Sequence, residues 1–217
     1  KSADGCGAPC AFCAIPLIKG PAVSRPARAV VQDAVDLVDE CVKEIILIAQ
    51  DTTAYGRDRG QRDALPDLME AILTATPQLR WLRVMYAYPG RVSPRLVKLM
   101  SGDPRICHYL DLPLQHAHPE VLRRMRRPAN LDSTRRLVAE LRAGMPDLAL
   151  RSSFIVGYPG ETEAEFETLL DFVAEIRPEW VGVFLYSPEE GTPAADLRDS
   201  VPDEMKTERH DRLMQLQ

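Results

Sequence analysis

The sequence predicts an α/β fold with a parallel sheet and outer helices. Three observations carry that expectation. Short apolar, β-branched runs alternate with amphipathic segments, the pattern of repeated strand–helix units. Helix starts are marked by capping signals. The chain has 217 residues, 45% hydrophobic and 27% charged, enough for a substantial core within the ~50–250 residues of one domain.

In order along the chain, a helical pattern over 29–42 precedes the apolar run EIILIAQ (44–50), read as a strand. A helix over 65–76 leads to RWLRVMY (80–86), and a helix over 94–100 to HYLDLPL (108–114). Ser93 and Pro94 form the expected pair of N-cap and first helical residue. Helices over 119–125 and 133–143 precede LALRSSFIV (148–156). The helix over 163–176 opens with a Thr162-x-x-Glu165 capping box and leads to WVGVFLY (180–186). A last helix runs from Asp203 onward. Parallel α/β units place ligands at the carboxyl ends of their strands, so the residues ending each apolar run are the first candidates.

A net charge of −5 argues against a strongly basic nucleic-acid binder. No apolar run approaches the ~20 residues of a membrane span. Five cysteines, three of them clustered, make a poor disulfide framework and suit a reducing compartment, the cytoplasm. The chain opens on Lys1, five residues before the first cysteine, and is read as part of a longer protein.

The cluster is GCGAPCAFCAIP, with Cys6, Cys10 and Cys13 spaced Cys-x3-Cys-x2-Cys. A closed zinc site wants four ligands, and three thiols cannot pair off as disulfides. Cys41 and Cys107, in apolar settings on a helix face and at a strand entry, are read as small hydrophobes. The sharper reading is an iron–sulfur cube held by three thiolates where four are usual, leaving one iron open to a small molecule. Gly5, Gly7 and Pro9 allow a tight backbone around such a group.

The spacing, with Phe12 before the last cysteine, resembles the signature of the radical S-adenosylmethionine (SAM) superfamily. The resemblance implies that a [4Fe–4S] cluster on Cys6, Cys10 and Cys13 binds SAM at its open iron. It also implies a partial TIM-like (β/α)6 barrel whose first strand is mostly truncated here. FIVGYPGET (154–162) resembles the glycine-rich segment near SAM, with Gly157 and Gly160 allowing close approach. Gln50, rather than neighbouring Asp51, is expected to face the methionine part of SAM. Gln115 is a polar contact. Tyr186, Ser187 and the Phe12 backbone lie beside the adenine. Arg151 is either a structural ion pair or a clamp on the SAM carboxylate. Tyr86 and Tyr88 line the substrate mouth or pack in the core. His116 is read as a loop residue rather than a ligand, and Arg123, Arg124, Arg126 and Arg127 as a solvated helix face, with contact to an acidic substrate or partner as the alternative.

AQDTTAYG, YAYPG, PLQH, MRRP, IVGYPGETE and YSPEEGTPAA occur in order across nearly the whole chain. Together they resemble the methylthiotransferases, of the RimO type that modifies an aspartate of the twelfth small-subunit ribosomal protein. The alternatives are the tRNA-modifying MiaB type and a structural zinc module. The resemblance implies that residues 1–217 form the radical SAM core. A second cluster is expected on an N-terminal domain and a TRAM domain at the C-terminus, neither in this chain. The implied partners are the ribosomal protein and an electron donor such as flavodoxin or ferredoxin, with neither nucleic acid nor membrane.

Overall fold

The computed structural model describes residues 1–198 and 200–217. In chain order the elements are β1 (Ala3–Asp4), α1 (Ile15–Lys19), β2 (Val23–Ser24), α2 (Ala27–Asp39), β3 (Glu44–Leu47), α3 (Leu65–Ala75), β4 (Trp81–Val84), α4 (Pro94–Gly102) and β5 (Ile106–Asp111). There follow α5 (Pro119–Arg124), α6 (Leu131–Gly144), β6 (Ala149–Val156), α7 (Glu163–Ile176), β7 (Trp180–Leu185) and α8 (Asp203–Met214). The chain divides into two compact units. One comprises Lys1–Gly7, Lys19–Asp111 and Glu140–Leu148; the other comprises Ala8–Ile18, Leu112–Ala139 and Ala149–Gln217. Among the described residues no helix is long and apolar enough to cross a membrane.

In the first unit β3, β4 and β5 run parallel. Glu44 lies opposite Trp81, Leu47 opposite Val84 and Leu82 opposite Ile106. Leu47, Leu82, Val84, Ile106 and Leu110 are buried. Leu65, Leu68, Met69, Ile72 and Leu73 recur at spacings of three and four, so α3 buries one continuous face. Each such side chain stabilises the fold by about 1.5–3 kcal/mol. The Ser93 hydroxyl caps α4 by accepting from Leu96 N at 3.0 Å, with Pro94 in the first turn, as the sequence indicated. That cap contributes about 1 kcal/mol.

The unit also holds an antiparallel pair that the apolar runs did not reveal. β1 and β2 are two residues each, with Ala3 opposite Ser24. Ser2 N donates to Ile48 O at 2.9 Å, tying the first residues to the chain just beyond β3.

Of the two lone cysteines, Cys41 departs from expectation and Cys107 sits at a strand entry as expected. α2 ends at Asp39, so Cys41 is not on a helix face: it is exposed, with left-handed φ of 68°. Cys107, the second residue of β5, is half-buried, and burial pushes its thiol pKa up.

In the second unit β6 and β7 pair in parallel from Arg151–Trp180 to Val156–Leu185. Leu150, Ser152, Phe154 and Val156 face the buried side of β6, and Arg151, Ser153 and Ile155 the half-buried side. α7 covers the core with Phe166, Leu169, Phe172, Val173 and Ile176, and the Thr162–Glu165 capping box is present. α8 carries the buried Lys206 and Arg209. Arg209 Nη1 donates to Glu161 Oε1 and O, both at 3.2 Å, and Nη2 to Glu163 at 3.2 Å. Buried charge requires such partners.

Candidate cofactor site

The second unit contains a cavity of about 330 Å³, in the range of small-molecule sites. Phe12, Gln115, Tyr186 and Ser187, four of the residues expected to touch SAM, line it. Ser153 and Ile155, from the half-buried side of β6, form another wall. The cavity thus combines apolar surface with a few amide and hydroxyl groups and the Glu189 carboxylate, a composition suited to an amphipathic ligand.

Gln115 sits there by backbone design. Its N–H donates to Ser153 O and its carbonyl accepts from Ile155 N, both at 2.8 Å, so the chain continues the parallel ladder beside β6 for one residue. Its φ is 74°, a left-handed conformation that costs a non-glycine residue about 1–2 kcal/mol. Tyr186 is buried and fixed by its hydroxyl, which donates to Ala194 O at 2.9 Å. Its ring meets Tyr158 edge-on at 5.2 Å.

Phe12 lies in the turn Cys10–Cys13, where Cys13 N donates to Cys10 O at 3.3 Å. Ala11, buried at its centre, is held from both sides: its N–H donates to Met125 O at 3.0 Å and its carbonyl accepts from Ala194 N at 2.8 Å. Ala11 therefore packs with Val121, Met125, Tyr158, Tyr186 and Ala194 in one apolar cluster. In the first unit, Cys6 N donates to Gly20 O at 3.2 Å. Neighbouring Gly5 needs its φ of 65°, and any Cβ there would stand 2.1 Å from Pro21 O. Cys6, Cys10 and Cys13 are half-buried and in no disulfide among the described residues. Among the described residues no three His, Cys, Asp or Glu side chains gather as a single ion requires. A cube places its thiolates on separate irons, so three reduced, half-buried soft ligands fit such a group chemically.

The arginine run is not one solvated face. Arg123 pairs with Glu120 on the surface, but Arg124 bonds both oxygens of Glu165 at 3.1 Å. Arg127 turns inward, Nη1 lying 3.6 Å from Cys10 Sγ and Nη2 donating to Pro113 O at 2.5 Å. His116 lies in a loop, as expected, but in a buried one. It is buried, Nδ1 accepts from His118 N at 2.9 Å, and Nε2 lies 3.8 Å from Glu161 Oε2. Burial pushes its pKa down to about 3, and burial pushes Glu161 up to about 7 against the pull of Arg209.

The remaining expected residues lie outside the cavity lining. Arg151 is half-buried near the start of β6, and its carbonyl accepts from Leu112 N at 2.8 Å. Gly157 has φ 72° and is crowded by Lys206, whose Cγ would stand 2.3 Å from an added Cβ. Gly160, φ 75°, faces open space. In the first unit Gln50 is exposed, whereas Asp51 is buried and occupied by Thr53 Oγ1 (2.5 Å), Ala54 N (3.1 Å) and Arg91. Tyr86 is exposed at φ 61°, its carbonyl accepting from Thr52 N. Tyr88 is half-buried beneath the Arg91 guanidinium, 4.6 Å from its ring centre.

The model of the radical SAM superfamily matches residues 1–173. The chain belongs to the radical SAM superfamily. Along its whole length it is 53% identical to the ribosomal protein uS12 methylthiotransferase RimO of Roseiflexus sp. strain RS-1 and 54% to that of Chloroflexus aurantiacus. It covers 46% and 48% of those proteins, so it spans about half the length of the curated relatives it matches. Among solved structures it resembles the radical SAM methyltransferase TsrM of Kitasatospora setae, with TM-score 0.73 at 18% identity, covering 89% of this chain and 37% of that one. It also resembles Escherichia coli coproporphyrinogen III oxidase HemN, with TM-score 0.64 at 17% identity, covering 99% and 51%. At such identities the likeness is one of fold, and it agrees with the expected parallel α/β class.

Proposed function

We propose that this chain is the radical SAM core of a RimO-type methylthiotransferase, with Cys6, Cys10 and Cys13 holding a [4Fe–4S] cluster. SAM occupies the cavity lined by Phe12, Gln115, Tyr186 and Ser187. The observation that carries the reading is that these four residues, drawn from three separate stretches of sequence, line one cavity beside the Cys10–Cys13 turn. Identity above 50% to RimO proteins supports the substrate assignment, the aspartate β-carbon of uS12. The same reading places a second cluster and a TRAM domain elsewhere in a longer cytoplasmic protein served by a low-potential electron donor.

The cluster and SAM supply, when bound, reductive cleavage of the sulfonium to a 5′-deoxyadenosyl radical. The protein's share is binding, orientation and exclusion of water. Phe12, Ile155 and Tyr186 give the adenosine an apolar wall, and the fixed Tyr186 leaves that wall little freedom. Gln115 and Ser187 offer side-chain donors and acceptors to its polar edge. Gln50 and Arg151 are proposed to address the methionine portion, and Tyr86 and Tyr88 the protein substrate. A C–H bond beside a carboxylate gives acid–base side chains little to act on, so the residues hold reactants rather than move protons.

Anaerobic reconstitution tests the core of the proposal. Wild-type chain should take up iron and sulfide and, with SAM and dithionite, release 5′-deoxyadenosine; Cys6→Ala, Cys10→Ala and Cys13→Ala should abolish both. Binding of zinc alone would overturn it. Mass spectrometry of uS12 and of tRNA from a deletion strain tests the substrate: loss of methylthio mass from tRNA alone would refute the uS12 assignment.

A further inference from the structure

α5 ends in a turn whose geometry serves the cysteine loop. Arg127 N donates to Leu122 O at 2.8 Å and Arg126 N to Arg123 O at 3.0 Å, the paired bonds of a Schellman motif. The residue that must turn left-handed in that motif is usually glycine; here it is Arg126, with φ 55°. The strained turn has two products. It leaves the carbonyl of Met125 to accept from Ala11 N, and it sends Arg127 back toward Cys10. Pro113 O fixes one arm of the Arg127 fork, and the other arm lies against the Cys10 sulfur at 3.6 Å. The guanidinium is half-buried, where a charge is screened less than on the surface.

We propose that Arg127 is an electrostatic positioning residue that raises the reduction potential of the iron–sulfur centre held by Cys10. The inference rests on the reading of Cys10 as a cluster ligand. One electron from a low-potential donor enters the centre; no bond breaks and no proton moves. Reduction adds negative charge, which a fixed cation stabilises, and hydrogen bonding to a ligand sulfur acts in the same direction. Arginine suits the position because its planar fork spans a carbonyl and a sulfur at once, which a lysine ammonium does less well.

The test is a potentiometric titration of the anaerobically reconstituted chain, poised with dithionite and mediators and read by electron paramagnetic resonance. In Arg127→Met the ratio of reduced to oxidised cluster at a fixed solution potential should fall at least tenfold, a shift of about 59 mV for one electron. Arg127→Lys should recover part of that loss. Should the methionine variant not fold, Arg127→Gln keeps an N–H for Pro113 without the charge and takes its place in the comparison. Equal potentials in wild type and the uncharged variant, with the cluster present in both, would overturn the proposal and leave Arg127 as a strut on Pro113. Wild-type chain that takes up no iron and sulfide would instead overturn the reading beneath it.

Discussion

Replacing Gly157 by alanine tests whether α8 seats directly on the turn that follows β6. Two costs can be worked from the structure. Gly157 has φ 72°, and an L-residue in that region loses about 1–2 kcal/mol. The added Cβ would stand 2.3 Å from Lys206 Cγ, 3.0 Å from Cδ and 3.1 Å from Cβ. These atoms belong to the root of a side chain that is 5% exposed, so relief requires α8 itself to shift. Overpacking of that kind costs about 1–3 kcal/mol, for a total of about 2–5 kcal/mol. Urea unfolding measures it as a lowered midpoint at constant slope. A double-mutant cycle then separates the two costs. Lys206→Ala removes Cγ and Cδ and leaves only the Cβ contact at 3.1 Å, so Gly157→Ala on that background should lose chiefly the backbone cost, giving a coupling of about 1–3 kcal/mol. Strict additivity, or a Gly157→Ala loss below about 1 kcal/mol, would refute the argument.

Two further outcomes are expected. Arg126→Gly should stabilise the chain by about 0.5–1 kcal/mol, because glycine takes the left-handed turn after α5 without strain and the exposed side chain holds little packing; a lower thermal midpoint would contradict the Schellman assignment. Glu161 gives a pH signature: its folded pKa is raised to about 7 from 4.5, so the folded state holds the proton more tightly and stability is gained as pH falls through that window. Relative to Glu161→Gln, wild type should gain about 3 kcal/mol between pH 7 and 4.5. His116, lowered to about 3, works in the opposite direction below pH 6.5 and is present in both proteins. A flat difference across the window would show that Glu161 titrates as an exposed carboxylate does.

What the sequence disclosed and what it hid follow from the range of the interactions. Ser93–Pro94 and Thr162–Glu165 were legible because a cap is made by residues three apart. Phe12, Gln115, Tyr186 and Ser187 were reachable because strand ends and motif resemblance point to the same places. Cys41 was misread because no glycine marks the end of α2, and the apolar pattern runs past it. Arg124 and Arg127 were misread because their partners, Glu165 and Cys10, lie far away in sequence, and local pattern cannot tell an inward arginine from a solvated one. His116 needed the burial of its surroundings, which composition does not carry. Ala11 gave no signal at all: its role is borne by main-chain atoms common to every residue.

That role of Ala11 has a consequence for how the proposed metal centre would be assembled. In a zinc finger the ion organises a chain that is otherwise unfolded, and chelation dissolves the domain. Here the bend carrying Cys10 and Cys13 is clamped by peptide groups of two neighbouring segments, bonds that need no inorganic sulfur. Loading of the proposed cluster would then leave the fold unchanged, and a chain stripped by a chelator should stay folded and accept the centre again.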